Sequence, residues 1–172
     1  MAEIIRFAWG ISSLGDFMVA VSDNGLVALE FTSDRSKAEA ALRARFQGVD
    51  VIDGQDGLSS IVKNVASAIE DPNFDPGVPL DLRGTRYQVR VWSMLRAIPV
   101  GEVTNYGAVA AKLGTHDARE VTEAIACNPI AVLVPCHRVI KKDGSISGYR
   151  WGVKRKRELL AREQRSGAFQ LN

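Results

Sequence analysis

Residues 71–81, Asp-Pro-Asn-Phe-Asp-Pro-Gly-Val-Pro-Leu-Asp, place three prolines and a glycine where neither a helix nor an interior strand can continue. Such a stretch reads as a domain boundary, and the chain differs on its two sides. Before it, Ile4 to Trp9, Phe17 to Ser22 and Leu26 to Phe31 predict an antiparallel meander, with Asp23-Asn24-Gly25 as the tight hairpin turn. Ser36 and Glu39 are spaced as a capping box opening a helix through Phe46. Val49 to Ile52 fits a short strand, and Ile61, Val62, Val65, Ala66 and Ile69 recur at helical spacing in a second helix from Leu58 to Ile69.

Beyond the boundary the pattern is helical. Thr85 and Gln88 form another capping signature, and Val91, Trp92, Leu95 and Ile98 line one face of the helix that follows, which Pro99-Val-Gly101 stops. Thr104 is placed to cap the next helix, which runs to Leu113 and ends at Gly114; Asp117 caps a third from about Ala118 to Cys127, ended by Asn128-Pro129. Two short helices joined by a glycine-containing turn have the outline of a helix-turn-helix, with His116 a surface residue of that turn. The expected fold class is α+β: a small antiparallel-sheet-plus-helix domain over 1–80, then a mainly helical, helix-turn-helix-containing domain over 81–172.

Charge divides along the same line. Residues 1–80 carry 6 Lys and Arg against 12 Asp and Glu, a net of −6, and residues 81–172 carry 16 against 8, a net of +8. A polyanionic partner suits the basic half, and nucleic acid is the commonest; the alternative is a solvated basic face. No apolar run approaches the roughly 20 residues that span a bilayer, and Met-Ala-Glu-Ile-Ile-Arg lacks the basic and apolar regions of a signal peptide. A cytoplasmic monomer without a membrane partner is expected. Cys127 and Cys136 make neither a metal-ligand spacing nor a disulfide framework, so no metal site is expected.

Within the basic half, Ala131-Val-Leu-Val-Pro-Cys136-His137-Arg138-Val-Ile140 sets a cysteine beside a histidine between two runs of core-grade residues. A thiol there is either packing or chemistry. Pro135 interrupts the apolar run just before it, placing the thiol at a bend. His137 offers a base within reach of the thiol, directly or through a water.

The string Pro135-Cys-His-Arg-Val139 is preceded by Asn128-Pro129 and followed by Asp143-Gly144, Gly148-Tyr149 and a helix ending Leu159-Leu160-x-x-Glu163. Together with Asp81-x-Arg-Gly-Thr85-x-Tyr87-Gln88-x-x-Val91-Trp92, Ile98-Pro99-x-Gly101-Glu102 and Tyr106-Gly107, it resembles the methylated-DNA–protein-cysteine methyltransferases. Gly148-Tyr-Arg-Trp-Gly-Val153 is similar to the C-terminal half of the bacterial Ada protein. The resemblance covers residues 81–163 closely and the first 80 in outline, where the family has a ribonuclease-H-like domain.

The resemblance implies a repair protein that takes the methyl of O6-methylguanine in double-stranded DNA irreversibly onto Cys136, once per molecule. O4-methylthymine is a further candidate substrate. His137 would be the base acting through a water, Glu163 the carboxylate that orients it, and Asn128 the positioner of the loop. Tyr106 would assist the departing guanine and the flipping of its nucleotide, Arg119 would fill the gap left in the stack, and Tyr149 would wall the base pocket. Glu120 and Thr122 stand where the family carries small residues, with Glu123 next, and two carboxylates facing phosphates oppose binding. Arg138 is expected to brace the loop by an ion pair with Asp143, Trp151 to pack, and Cys127 to be buried and inert. No metal or diffusible cofactor is required, because the lesion is the alkyl donor.

Two rival readings differ in what they require. A non-catalytic lesion-binding or regulatory DNA-binding module has no need of Cys136. A cysteine hydrolase built on Cys136 and His137 predicts turnover and leaves the basic half without a purpose.

Overall fold

The computed structural model describes residues 3–115 and 117–170, with side chains through 166; His116 lies outside the described residues. The chain divides into two compact units, Met1–Leu82 and Arg83–Asn172. Among the described residues no helix is long and apolar enough to cross a membrane.

The first unit is a four-stranded sheet with two helices. Strands β1 (Ile4–Ser12), β2 (Gly15–Val21) and β3 (Leu26–Phe31) form the expected meander. Helix α1 (Arg35–Arg45) leads to β4 (Asp50–Asp53), and α2 (Ser59–Glu70) follows. The strand order is β3-β2-β1-β4, and β4 lies parallel to β1, so the sheet is mixed where an antiparallel one was expected. Ile5, Phe7, Met18, Ala20 and Val51 meet Ala38 and Leu42 of α1 in one core. Every residue from Phe17 to Ala20 is buried, so alternation alone does not mark β2 as one-sided. Gly10 admits the Phe17 ring, which a Cβ there would meet at 2.3 Å. The cap of α1 is Asp34, which accepts from Lys37 N at 3.0 Å; Ser36 lies inside the helix, so the expected capping box is not used.

The boundary stretch ends tied to this unit. Leu26 N donates to Pro79 O at 2.9 Å, Asp81 N to Leu26 O at 2.8 Å, and Ser22 Oγ to the Asp81 carboxylate at 2.6 Å. These bonds hold residues through Asp81 against β3, so the compact unit extends past residue 80.

The second unit begins with α3 (Arg86–Arg96), whose capping box between Thr85 and Gln88 is complete and whose Val91, Trp92 and Leu95 are buried. A two-residue strand, β5 (Thr104–Asn105), precedes α4 (Tyr106–Lys112), then α5 (Ala118–Ala126). A 3-10 turn, Cys136–Arg138, runs into β6 (Val139–Ile140), and α6 (Val153–Gln170) closes the chain. Thr104 does not cap α4. It pairs in parallel with Val139, and Asn105 caps instead, accepting from Ala108 N at 2.8 Å. Trp92 Nε1 donates to Ala124 O at 2.8 Å, a buried bond joining α3 to α5. Asp117 caps α5 as expected, accepting from Arg119 N at 2.9 Å.

Candidate active site

The approach to Cys136 is made of two tight bends. Leu133 N donates to Ala131 O at 2.6 Å around Val132, whose φ of 66° makes it the one non-glycine residue with positive φ among those described. A β-branched residue there is strained. Cys136 N then donates to Val134 O at 2.7 Å around Pro135, whose φ of −81° and ψ of 63° form an inverse γ-turn. The proline ring holds φ near that value unaided, which is why the apolar run stops and the thiol lies at a bend.

Asn128, fully buried, holds both bends. Its Oδ1 accepts from Ile130 N at 2.9 Å, and its Nδ2 donates to Val134 O at 2.9 Å and to Cys136 Sγ at 3.2 Å. Only 4% of Cys136 is exposed. Burial pushes its thiol pKa up to about 11, with the Asn128 hydrogen bond and the Lys156 charge pulling the other way. At pH 7 such a thiol is ionised in roughly one molecule in ten thousand, so a base must take its proton before it can attack anything.

His137 follows in the same 3-10 turn and is completely buried. Its Nε2 lies 2.6 Å from Glu163 Oε2. Burial favours the neutral imidazole, lowering its pKa against the partial opposition of Glu163. Burial alone would raise Glu163, but hydrogen bonds and charge from His137 and Arg138 outweigh it and keep the carboxyl ionised. A neutral ring beside a carboxylate donates its one proton there, from Nε2. Nδ1, buried and with no hydrogen-bond partner among the described residues, is therefore the bare nitrogen that can accept a proton.

The arginine next in sequence completes the group. Arg138 Nε and Nη2 reach the two Glu163 oxygens at 2.8 and 3.0 Å, and Nη1 donates to Ile98 O. The expected partner Asp143 instead accepts from Ser145 N and Oγ at 2.9 and 2.6 Å. Asp143 is near in sequence, but Glu163 offers both its oxygens in the interior, where a bidentate pair is strongest. Arg162 and Arg165, which flank Glu163 in sequence, pair with Glu158.

Beside the thiol opens a pocket of about 510 Å³, lined by Tyr106, Ile125, Cys136, Ser147 and Tyr149 among others. The Tyr149 hydroxyl is buried with no partner among the described residues, and its ring meets Trp151 edge-on at 5.3 Å. Trp151 packs as expected and also carries Arg150 over its face at 5.2 Å. The sequence reading missed two residues here, Ser147 and Lys156. Lys156 is buried at the spacing of Leu159 and Glu163 on α6, a core-face periodicity hidden inside a run of lysines and arginines.

Helix α5 borders the pocket with Thr122, Ile125 and Ala126, while Glu120 and Glu123 turn to a separate groove shared with Thr85, Tyr87 and Gln88 of the α3 start. Thr122 spends its hydroxyl on Ala118 O at 2.7 Å. The two carboxylates thus lie off the pocket side. The Arg119 side chain is 91% exposed and touches Asp117 at 3.3 Å. Cys127 is exposed, contrary to the buried position expected of it, because α5 turns that edge outward with Glu120 and Glu123.

Residues 86–165 match the family model described as 6-O-methylguanine DNA methyltransferase, DNA binding domain. The chain is 38% identical over 160 residues to the bifunctional transcriptional activator/DNA repair enzyme Ada of Escherichia coli, covering 92% of this chain but 45% of Ada. It thus spans less than half of that relative's length. With the inducible methylated-DNA–protein-cysteine methyltransferase of Bacillus subtilis it shares 34% identity over 93% of this chain and 92% of the relative. The crystal structure of Mycobacterium tuberculosis OGT in complex with DNA superposes with a TM-score of 0.74 at 35% identity, covering 93% of each chain. Likeness along nearly the whole length, joined to a bent Pro-Cys-His-Arg turn backed by Asn128 and Glu163, makes this chain a member of the methylated-DNA–protein-cysteine methyltransferase family.

Proposed function

We propose that this protein repairs DNA by moving the methyl of O6-methylguanine onto Cys136 in a single, irreversible step. The observation that carries the reading is the buried set Glu163, His137 and Cys136: an ionised carboxylate fixes the imidazole tautomer, and the bare Nδ1 stands one residue from a thiol too protonated to act unaided. His137 takes the thiol proton through a water. The thiolate pair then forms the S–C bond as the C–O6 bond breaks, leaving its electrons on the purine. Overall the thiol exchanges a proton for a methyl, and guanine the reverse. A thioether has no easy route back, so each molecule acts once.

A methyl inside a duplex cannot be approached in line, so the nucleotide is flipped into the pocket. Tyr149 walls that pocket, Tyr106 assists the departing purine, and exposed Arg119 enters the gap left in the stack. The neutral pocket side of α5 carries the DNA contact, and Asn128 holds the loop and the sulfur in register. The second unit, Arg83–Asn172, is the DNA-binding and alkyl-transfer domain, and the first, Met1–Leu82, is the scaffold. Monomeric action in the cytoplasm suits two free cysteines. O4-methylthymine, which presents the same O-linked methyl, is a second substrate of the same chemistry.

The test is a titration with excess duplex carrying one O6-methylguanine, counting methyl groups per protein. The expected count rises to one and stops. Continued turnover, or DNA binding with no transfer, contradicts the reading.

A further inference from the structure

Behind the pocket wall, bonded to its residues Ser147 and Gly148, lies a cation that the reaction above leaves unused. Lys156 is fully buried, and no carboxylate among the described residues pairs with it. Its ammonium donates to Val139 O at 2.6 Å, Ser147 Oγ at 2.9 Å and Gly148 O at 3.3 Å, one acceptor for each N–H. Buried Ser147 therefore gives a lone pair to Lys156, and it also lies 2.6 Å from the Tyr106 hydroxyl.

Ser147 has one proton to place. Val139 O stands 3.4 Å away, beyond the usual O–H···O range, and already accepts from Lys156. The Tyr106 oxygen is far nearer, so the serine proton goes there. Tyr106 then acts as acceptor toward Ser147, and its own proton is left for a group inside the pocket that it lines. The two hydrogen bonds run in one direction, from a buried positive charge toward the pocket, and such chains polarise one another.

We propose that Ser147, anchored by Lys156, is a positioning residue that makes Tyr106 a one-way hydrogen-bond donor to the purine as its O6–methyl bond breaks. Tyr106 keeps its proton and meets the electron pair left on the ring; the thiol proton is the one guanine finally gains. Each member sits on a different part of the fold: Tyr106 opens α4, Ser147 lies in the loop before Gly148, and Lys156 belongs to α6. The inference rests on the alkyl-transfer reading.

The experiment is a set of single-turnover transfers at saturating methylated duplex, comparing the parent with Ser147→Ala, Lys156→Met, Tyr106→Phe and the double variant Tyr106→Phe/Ser147→Ala. Ser147→Ala should slow transfer roughly tenfold, the effect of losing one charge-assisted hydrogen bond, with the half-saturating DNA concentration unchanged. Lys156→Met should slow it at least as much. In the Tyr106→Phe background Ser147→Ala should cost nothing further, an outcome that a merely structural defect would not give. Misfolded protein lowers the fraction that reacts, not the rate constant of the rest. A Ser147→Ala rate within twofold of the parent, or an undiminished loss in the Tyr106→Phe background, overturns the inference alone. A parent that gains no methyl overturns the alkyl-transfer reading and this inference with it.

Discussion

Replacing Glu163 by glutamine keeps the side-chain shape and removes one acceptor and the charge. Three N–H donors converge on the two carboxylate oxygens: His137 Nε2 at 2.6 Å, Arg138 Nε at 2.8 Å and Arg138 Nη2 at 3.0 Å. A glutamine has one oxygen for them and turns its own NH₂ against at least one. Each charge-assisted bond contributes about 1.5–3 kcal/mol. The Arg138 side chain, 11% exposed, keeps its charge with the Ile98 carbonyl as its remaining partner. Breaking one half of a buried pair costs about 3–5 kcal/mol, and that is the expected loss. With a urea slope of about 1–3 kcal/mol per molar, a loss of 3 kcal/mol lowers the unfolding midpoint by at least about 1 M. Glu158→Gln on the exposed side of α6 is the control and should leave the midpoint in place. A Glu163→Gln loss below about 1 kcal/mol would refute the reasoning, because it would mean that Glu163 is not the counter-charge of Arg138.

Acid should weaken the fold in two steps. His137 has a lowered native pKa, so below about 6.5 the unfolded chain binds a proton that the native state refuses, and stability falls with pH toward that native value. Glu163, also lowered, contributes stability that is present above its unfolded value near 4.5 and is lost as pH falls through its native value. Arg138 and Lys156 face the same ring and oppose its protonation. Unfolding free energies between pH 7.5 and 5 should show the first loss in the parent, and His137→Asn should flatten it. Val132→Gly should not lower the thermal midpoint. Relief of about 1–3 kcal/mol of backbone strain at its φ of 66° offsets the added freedom of the unfolded chain, and a midpoint drop equivalent to a stability loss of more than about 1 kcal/mol would contradict that. Arg119→Ala should leave the midpoint unchanged, slow transfer from duplex roughly tenfold, and spare transfer from the free methylated base; equal slowing of both would remove Arg119 from base flipping.

The legible parts of this chain are those whose cause is local. The meander shows in its short apolar runs and the Asp23-Asn24-Gly25 turn, and the α3 cap shows in Thr85 and Gln88 because both partners lie within one helical turn. Where two good candidates stood close together, local spacing chose wrongly: Ser36 over Asp34 for α1, Thr104 over Asn105 for α4. The parallel seat of β4 on β1 was not legible, since period two marks a strand and not its neighbour. Arg138 is the same lesson at the site. Five residues separate it from Asp143 and 25 from Glu163, and only the fold brings Glu163 in. The family resemblance supplied the Cys136, His137 and Glu163 grouping that composition alone left open. Lys156 stayed hidden because its neighbours Lys154, Arg155 and Arg157 read as a solvated face.

Of the two cysteines, the structure exposes Cys127 and buries Cys136. Reactivity governed by access alone would favour Cys127, whereas the account requires Cys136, whose sulfur faces the Asn128 amide and opens to the pocket. The most direct measurement is peptide mass mapping after reaction with duplex DNA bearing one O6-methylguanine, with Cys136→Ser alongside. The account predicts a single added methylene, of about 14 Da from the exchange of hydrogen for methyl, on the peptide containing Cys136 and none in the Cys136→Ser protein. Methylation of Cys127 in the parent, or of the one remaining cysteine, Cys127, in Cys136→Ser at the parent rate, would contradict it.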